Sequence, residues 1–238
     1  MPTEAADSVR RKVCHQAAEL TFHGQFSLLL KSKVLDMKSY KQFCGTAYAL
    51  DLLGERWTLL ILRDLLAGPR RYGDLIKAFP GITTNLLAKR LKDLTDAGLI
   101  QRAGRIYALT EAGRRTEPII LALAEFGSDY LTFPTLPDER VSSRSMVLNL
   151  KRRYGGGWTG AVILQFSEAT YLIQSDGQNL DISDHAANKH CTTTLVNKTS
   201  GFARWILLGA RLADLIESAA LDVVGDVSTA LTFDETLR

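Results

Sequence analysis

Cysteine is scarce in this chain, and long apolar runs are missing. Only Cys14, Cys44 and Cys191 occur in 238 residues, with no regular spacing. That argues against a disulfide framework and for a reducing, cytoplasmic setting. The longest apolar runs, such as the one around Ile61, fall far short of the roughly 20 residues that a membrane-spanning helix needs. No N-terminal stretch combines a charged start, an apolar core and a small-residue cleavage site, so export is not expected. Without a secretory route, the sequon Asn197-Lys198-Thr199 carries no meaning. Signatures of chemistry are lacking too. No Ser-His-Asp order and no carboxylate pair sits in a context that suggests catalysis. His185, His190 and Cys191 have a spacing that fits no closed zinc site. "YGGGW" at 154–158 lacks the second half of a phosphate loop and reads as a turn before a strand. The expectation is a protein that is not an enzyme, with no cofactor and no metal.

What is present is an uneven spread of charge. The net charge is only +3, but residues 70–115 carry ten basic side chains against four acidic ones. From residue 135 onward ten basic residues meet twelve acidic ones. A compact positive strip is what phosphate neutralisation requires, although a solvated face gives the same pattern.

The length suits two ordinary domains or one large one. Residues 1–36 carry no clear caps. From Gly45 the helical period is strong, with Ala49, Leu52 and Leu53 on one stripe up to Gly54. A second helix places Trp57, Leu60, Ile61 and Leu65 together and stops at Gly68-Pro69. A third, "YGDLIKAF", turns Tyr72, Leu75, Ile76 and Phe79 inward and breaks at Pro80-Gly81. In the fourth, Thr83 or Thr84 caps the start, and Leu87, Leu91 and Leu94 form the buried stripe. Asn85, Lys89, Lys92 and Asp96 lie opposite, and Gly98 supplies the exit. "LIQRAGRIYAL" alternates as a hairpin with Arg102 and Arg105 at its tip. One further helix, capped by Thr110, carries Ile119, Ile120, Leu123 and Phe126. This order is that of a winged helix-turn-helix, whose fourth helix here would enter the major groove. "FPTLPDER" at 133–140 reads as a linker. Beyond it come short strands in "WTGAVILQF", "TYLIQS", "NLDIS" and "CTTTLVN", helices around "GFARWILLG" and "RLADLIESA", a strand "LDVVGD" and a last helical turn. The fold class is α+β in two domains, 37–132 and 141–238.

The segment from Cys44 to about residue 130 resembles the HxlR-type winged-helix transcription regulators. The carriers are Cys44 thirteen positions before Trp57, then "GERWTLLILRDL", "GPRRY", "PGIT", "LLAKRLKDL", "AGLI" and "YALTEAGR". The tail is similar to the sterol carrier protein-like domain of some such regulators, through its β-meander and "LLGARLADLIESAALDVVGD". Residues 1–36 have no counterpart in the family, which suggests Met37 as the true start. The resemblance implies that Arg70 and Arg71 clamp phosphates and that Cys44 is a candidate redox sensor.

Asn85 can pair with adenine, and Lys89 with guanine or phosphate. Thr83, Thr84 and the helix start can hold a phosphate. Arg90, on the flank, reaches phosphate or pairs with Asp93 or Asp64. In the tail, Trp158, Val162, Leu164, Phe166, Leu172, Phe202, Trp205 and Ile206 line a ligand cavity or fill an ordinary core; both need apolar inward faces. The expected function is a cytoplasmic transcription regulator. It would bind a double-stranded DNA operator as a homodimer, through the helix 116–131 and the start of the first helix, and respond to an apolar small molecule or to Cys44 oxidation. The alternative is a small-molecule carrier whose winged helix contacts protein.

Overall fold

The computed structural model describes residues 39–132, 141–184, 191 and 193–237. The segment 1–36, Met37, the linker 133–140, His185 and His190 lie outside the described residues.

Helix α1 (Gly45–Leu53) opens the N-terminal unit. Its inner positions are Ala47, Asp51 and Leu53, whereas Ala49 and Leu52 are only partly buried. Asp51 accepts hydrogen bonds from Ser39 Oγ and Tyr40 N, both at 2.9 Å, and so ties down the chain ahead of the helix. Trp57 then turns left-handed, φ 79°, and α2 (Thr58–Leu66) begins after it. The buried residues of α2 are Thr58, Ile61, Leu62, Asp64 and Leu65, and all but Asp64 form an i, i+3, i+4, i+7 stripe. The expected stripe was rotated from this one. Leu60 is exposed and Leu62 fully buried, because Trp57 stands before the helix and does not share its phase.

Gly68, φ 121°, carries the chain out of α2 into β1 (Arg70–Arg71) and α3 (Tyr72–Ala78). Leu75 and Phe79 point inward, and a turn through Gly81 leads to α4 (Thr84–Asp96). Thr83 is the cap: its hydroxyl accepts from Leu86 N at 3.3 Å. Leu87, Leu91 and Leu94 are buried as their spacing predicts. β2 (Ile100–Ala103) and β3 (Ile106–Leu109) form the hairpin, and β1 pairs with β3 to complete an antiparallel sheet in the order β1-β3-β2.

After Thr110 the structure has two helices where the pattern suggests one, α5 (Glu111–Arg114) and α6 (Glu117–Ser128). Pro118 has no N–H to give, which a helix tolerates in its first turn and not in its interior. The Thr110 hydroxyl caps α5 through Gly113 N at 3.1 Å. Gly113 is a glycine for want of room: a Cβ there would sit 2.0 Å from the Leu99 carbonyl oxygen.

Helix α7 (Ser143–Arg153) is not announced by the sequence pattern and proves to be the joint of the molecule. Leu148 packs into the core of the N-terminal unit; Met146, Val147 and Leu150 pack into that of the tail. Arg144, buried on α7, donates to the Asp64 and Gly68 carbonyls at 2.8 and 2.9 Å and so closes the C-terminal end of α2. Lys151 pairs with Glu117 at 2.8 Å, and Arg152 pairs with Glu125, fastening α7 to α6.

The tail is a five-stranded sheet made of β4 (Thr159–Gln165), β5 (Thr170–Asp176), β6 (Leu180–Asp184), β7 (Thr194–Asn197) and β8 (Leu221–Val224), in the order β6-β5-β4-β7-β8. All neighbours are antiparallel except β4 and β7. A π-helical turn (Ala203–Leu207), α8 (Leu212–Glu217) and α9 (Val227–Asp234) complete it. The tail residues that could line a cavity or fill a core are buried, and all of them but Leu172 belong to one packed core. Trp158 lies 4.7 Å from Phe233 and Phe166 lies 4.6 Å from Phe202, ring centre to ring centre. Asp234 binds this core together, accepting from Trp205 Nε1 at 2.6 Å and Leu212 N at 3.0 Å.

Candidate nucleic-acid interface

Helix α4 is built to show one face. The leucine stripe anchors it, and the Tyr72 hydroxyl donates to the Thr84 carbonyl at 2.8 Å, fixing its first turn against α3. Thr83, Thr84, Asn85 and Lys89 are exposed on the opposite side. Lys92 is exposed too, but pairs with Asp96; that hydrogen bond raises its pKa and keeps its charge partly neutralised.

Two arginines expected at the interface are turned elsewhere. Arg90 is buried: it pairs with Glu55, donates to Asp93 at 3.2 Å and to the Arg56 carbonyl at 3.3 Å. Of the partners weighed for it, Asp93 is present and Asp64 is not. It stands at the edge of the leucine stripe, beside Leu94, and its bonds to Glu55 and the Arg56 carbonyl turn it toward the α1–α2 turn, so it braces α4 and does not reach outward. Arg70 lies 3.7 Å from the buried carboxylate of Asp64, which draws its guanidinium inward; Arg71 is exposed. The pairing of Arg70 with Tyr107 and Arg71 with Ile106 stitches the start of the helix-turn-helix to the hairpin. A two-residue strand has no period, which is why sequence reading missed it.

At the hairpin tip the arginines divide. Arg102 donates to the Gly104 carbonyl at 2.8 Å and lies over the Tyr107 ring at 5.6 Å, so it stiffens the hairpin. Arg105 is exposed at the turn. Lys77 and Arg115, within the basic strip, are exposed as well.

Cys44 is exposed just before α1. The backbone N–H of Ala47, that of Thr46 and the Thr46 hydroxyl hold its thiol below the usual cysteine range, because they hydrogen-bond to the thiolate. Cys191 is half-buried and faces the Ala161 carbonyl at 3.3 Å. No group of three or more His, Cys, Asp or Glu side chains among the described residues is arranged to hold a metal ion.

Helices joined by a tight turn, with the last presented beside a hairpin, define a winged helix-turn-helix protein. A family model described as HxlR-like helix-turn-helix matches residues 52–134. Over 95 residues the chain is 39% identical to an uncharacterized HTH-type transcriptional regulator of Synechocystis sp., covering 37% of this chain and 70% of that protein. An uncharacterized HTH-type transcriptional regulator of Mycobacterium bovis is 43% identical over 96 residues, 37% of this chain and 60% of that one. The chain belongs to the HxlR-like helix-turn-helix family. Solved structures similar to it include quinone-bound YodB from B. subtilis, with 33% identity, TM-score 0.33, and coverage of 34% of this chain and 92% of that one. Another is the redox regulator HypR in its reduced form, with 27% identity, TM-score 0.34, and coverage of 36% and 92%. The family match ends at residue 134, ahead of α7 and the tail sheet. No helix among the described residues is long and apolar enough to cross a membrane.

Proposed function

We propose that this protein is a sequence-specific DNA-binding regulator of transcription that works as a homodimer. The observation that carries the reading is the exposed face of α4, where Thr84, Asn85 and Lys89 stand clear of the core on a rigidly mounted helix. Asn85 and Lys89 read base edges, while Thr84, Arg71 and Arg105 contact phosphates. Membership of a family whose curated relatives are HTH-type transcriptional regulators supports it.

One recognition helix reads only a few base pairs, so a second copy is needed. Helix α6 and the turn that follows it carry two parallel apolar stripes. Ile120 and Ala124 face the body of the molecule, while Ile119, Leu123, Phe126 and Tyr130 are exposed. With Phe43 and Tyr48 at the start of α1, which are also exposed, this outer stripe is the dimer seam. The tail, with its antiparallel sheet backed by helices, is read as a sterol carrier protein-like regulatory domain. Its apolar effector, or oxidation of the exposed, low-pKa Cys44, changes the spacing of the two α4 helices.

Fluorescence anisotropy on the DNA upstream of its own gene and on a scrambled duplex, across a salt series, tests the reading. The expected result is a preference of about 10³ or more and a steep salt slope. Absence of binding at low salt overturns it.

A further inference from the structure

A cleft of about 660 Å³ lies between the N-terminal unit and the tail. Small-molecule sites commonly occupy roughly 300–1,000 Å³ and favour such boundaries. Trp57, Leu60, Phe79, Leu131 and Leu207 line it. Trp57 has φ 79°, a conformation that a bulky side chain adopts only at a cost. Strain of this kind persists where the surroundings impose it, and it gathers at ligand clamps. Here the surroundings are Phe79, 6.0 Å from the indole, and the Arg56 guanidinium, 5.1 Å from it. Leu60, which leaves the α2 core stripe, turns into this same space, as does Leu131.

The edge of the cleft carries charge of one sign. Arg63 lines it and directs Nε and Nη2 to Asp64 Oδ1 at 3.3 and 2.9 Å. Arg70 approaches the other oxygen of the same carboxylate at 3.7 Å. Two guanidinium groups thus share one buried carboxylate, so Arg63, the one of the two that lines the cleft, is only partly neutralised where the apolar surface meets solvent. An occupant that satisfies both parts has an aromatic body and one anionic group, since a planar carboxylate matches guanidinium geometry. We propose that this cleft binds a small aromatic monocarboxylate, with its ring against Trp57 and Phe79 and its carboxylate toward Arg63. This moves the effector site from the tail to the cleft and gives the ligand an anionic group, and it rests on the proposed regulator only for its effect on DNA. The route to DNA is short: Phe79 and Pro80, both lining the cleft, open the turn that leads into α4.

The test uses the full chain with 2-naphthoate as the probe and methyl 2-naphthoate as its uncharged counterpart, read by calorimetry. Saturable naphthoate binding is expected, with quenching of tryptophan fluorescence that disappears in Trp57→Phe. Trp158 and Trp205 are buried in the tail core and do not line the cleft, so only the part of the quenching lost in Trp57→Phe counts. Arg63→Gln should weaken naphthoate about tenfold or more and leave the ester unchanged. Ala203→Phe, which narrows the cleft from the tail side, should abolish binding in a protein whose melting curve is still cooperative. No saturable binding up to about 1 mM, equal affinity for acid and ester, or unchanged binding in folded Ala203→Phe overturns the proposal. DNA anisotropy on the same samples keeps the two readings apart. Naphthoate that binds to a protein unable to bind DNA supports the cleft and sinks the regulator.

Discussion

Arg90 separates bracing from recognition, and replacing it by alanine shows which it does. The guanidinium is buried under the α1–α2 turn and holds Glu55, Asp93 and the Arg56 carbonyl. Glu55 is about half exposed and Asp93 almost a third, so solvent screens both ion pairs to about 0.5 kcal/mol each. The carbonyl that loses its donor adds about 0.5 kcal/mol. The side-chain stem, packed beside the leucine stripe, adds about 0.5 kcal/mol more. The total of about 2 kcal/mol lowers the melting temperature of a chain this size by roughly 4–8 °C. Operator affinity of the folded Arg90→Ala protein, and the salt slope of that affinity, should change little. Lys89→Ala, one position away, should do the reverse: an unchanged melting curve, and weaker operator binding. The salt slope should fall by about 0.9 if the ammonium meets phosphate, and base preference should relax if it meets guanine. Paired thermal melts and anisotropy titrations read both variants. An Arg90→Ala protein with native stability and a reduced salt slope would mean that the guanidinium swings out to phosphate, and the bracing argument would be wrong.

Thr83→Ala should cost about 1 kcal/mol of stability by removing the acceptor for Leu86 N, and Thr83→Ser should restore it; a urea midpoint that does not move would refute the cap. Arg144→Met leaves the Asp64 and Gly68 carbonyls without their shared donor and should destabilise by about 2–4 kcal/mol; an unmoved melting curve would refute the grip of Arg144 on the end of α2. Cys44 should react with iodoacetamide at neutral pH faster than Cys191, measured by peptide mass spectrometry, since hydrogen bonds from Ala47 and Thr46 favour its thiolate; equal rates would contradict this. Asp226 caps α9, and the Thr229 and Ser228 side chains, with the Ser228 N–H, hold its carboxyl below the usual range. A depressed folded-state pKa gives stability that is present above the unfolded value of about 3.9 and lost as pH falls through the folded one. Asp226→Ala should therefore flatten the fall of urea stability below about pH 4, and an unchanged pH profile would contradict the cap.

Helix α4 was legible because every local signal agreed there. A threonine cap, leucines at 87, 91 and 94 and a glycine exit at 98 all describe one object, and the structure contains it. Legibility failed where a second body sets the pattern. Helix α7 escaped notice because its apolar residues serve two cores. Leu148 belongs to one while Met146, Val147 and Leu150 belong to the other, so no single stripe forms. Leu60 falls on the inward stripe only when the helical period starts at Trp57, and nothing local shows that Trp57 is left-handed. Arg70 reads as a free cation, and Arg90 stays open between phosphate, Asp93 and Asp64, because their acceptors Asp64 and Glu55 become neighbours only through folding. A basic strip in sequence is thus a sum of recognition and bracing charges, and burial is what divides them.

The same joint that hid from the sequence gives the tail a mechanical hold on the DNA-facing unit. A domain tethered only by a flexible linker can bind an effector without altering its neighbour, because no contact differs between the two states. Here α7 has its side chains in both cores, and Arg144 grips the end of α2 immediately before β1. β1 in turn holds the hairpin through Arg70 and Arg71, and α3 hands the chain to α4. A shift of α7 by a fraction of a side chain therefore cannot be absorbed locally, since close-packed cores have two arrangements more readily than a continuum. An effector that favours one position of α7 would by the same contacts favour one placement of α4. By linkage, DNA that selects that placement would change effector affinity by the same factor. Reciprocal titrations should return equal coupling factors within error. A ligand that binds with equal strength in the presence and absence of operator would show that the joint transmits nothing.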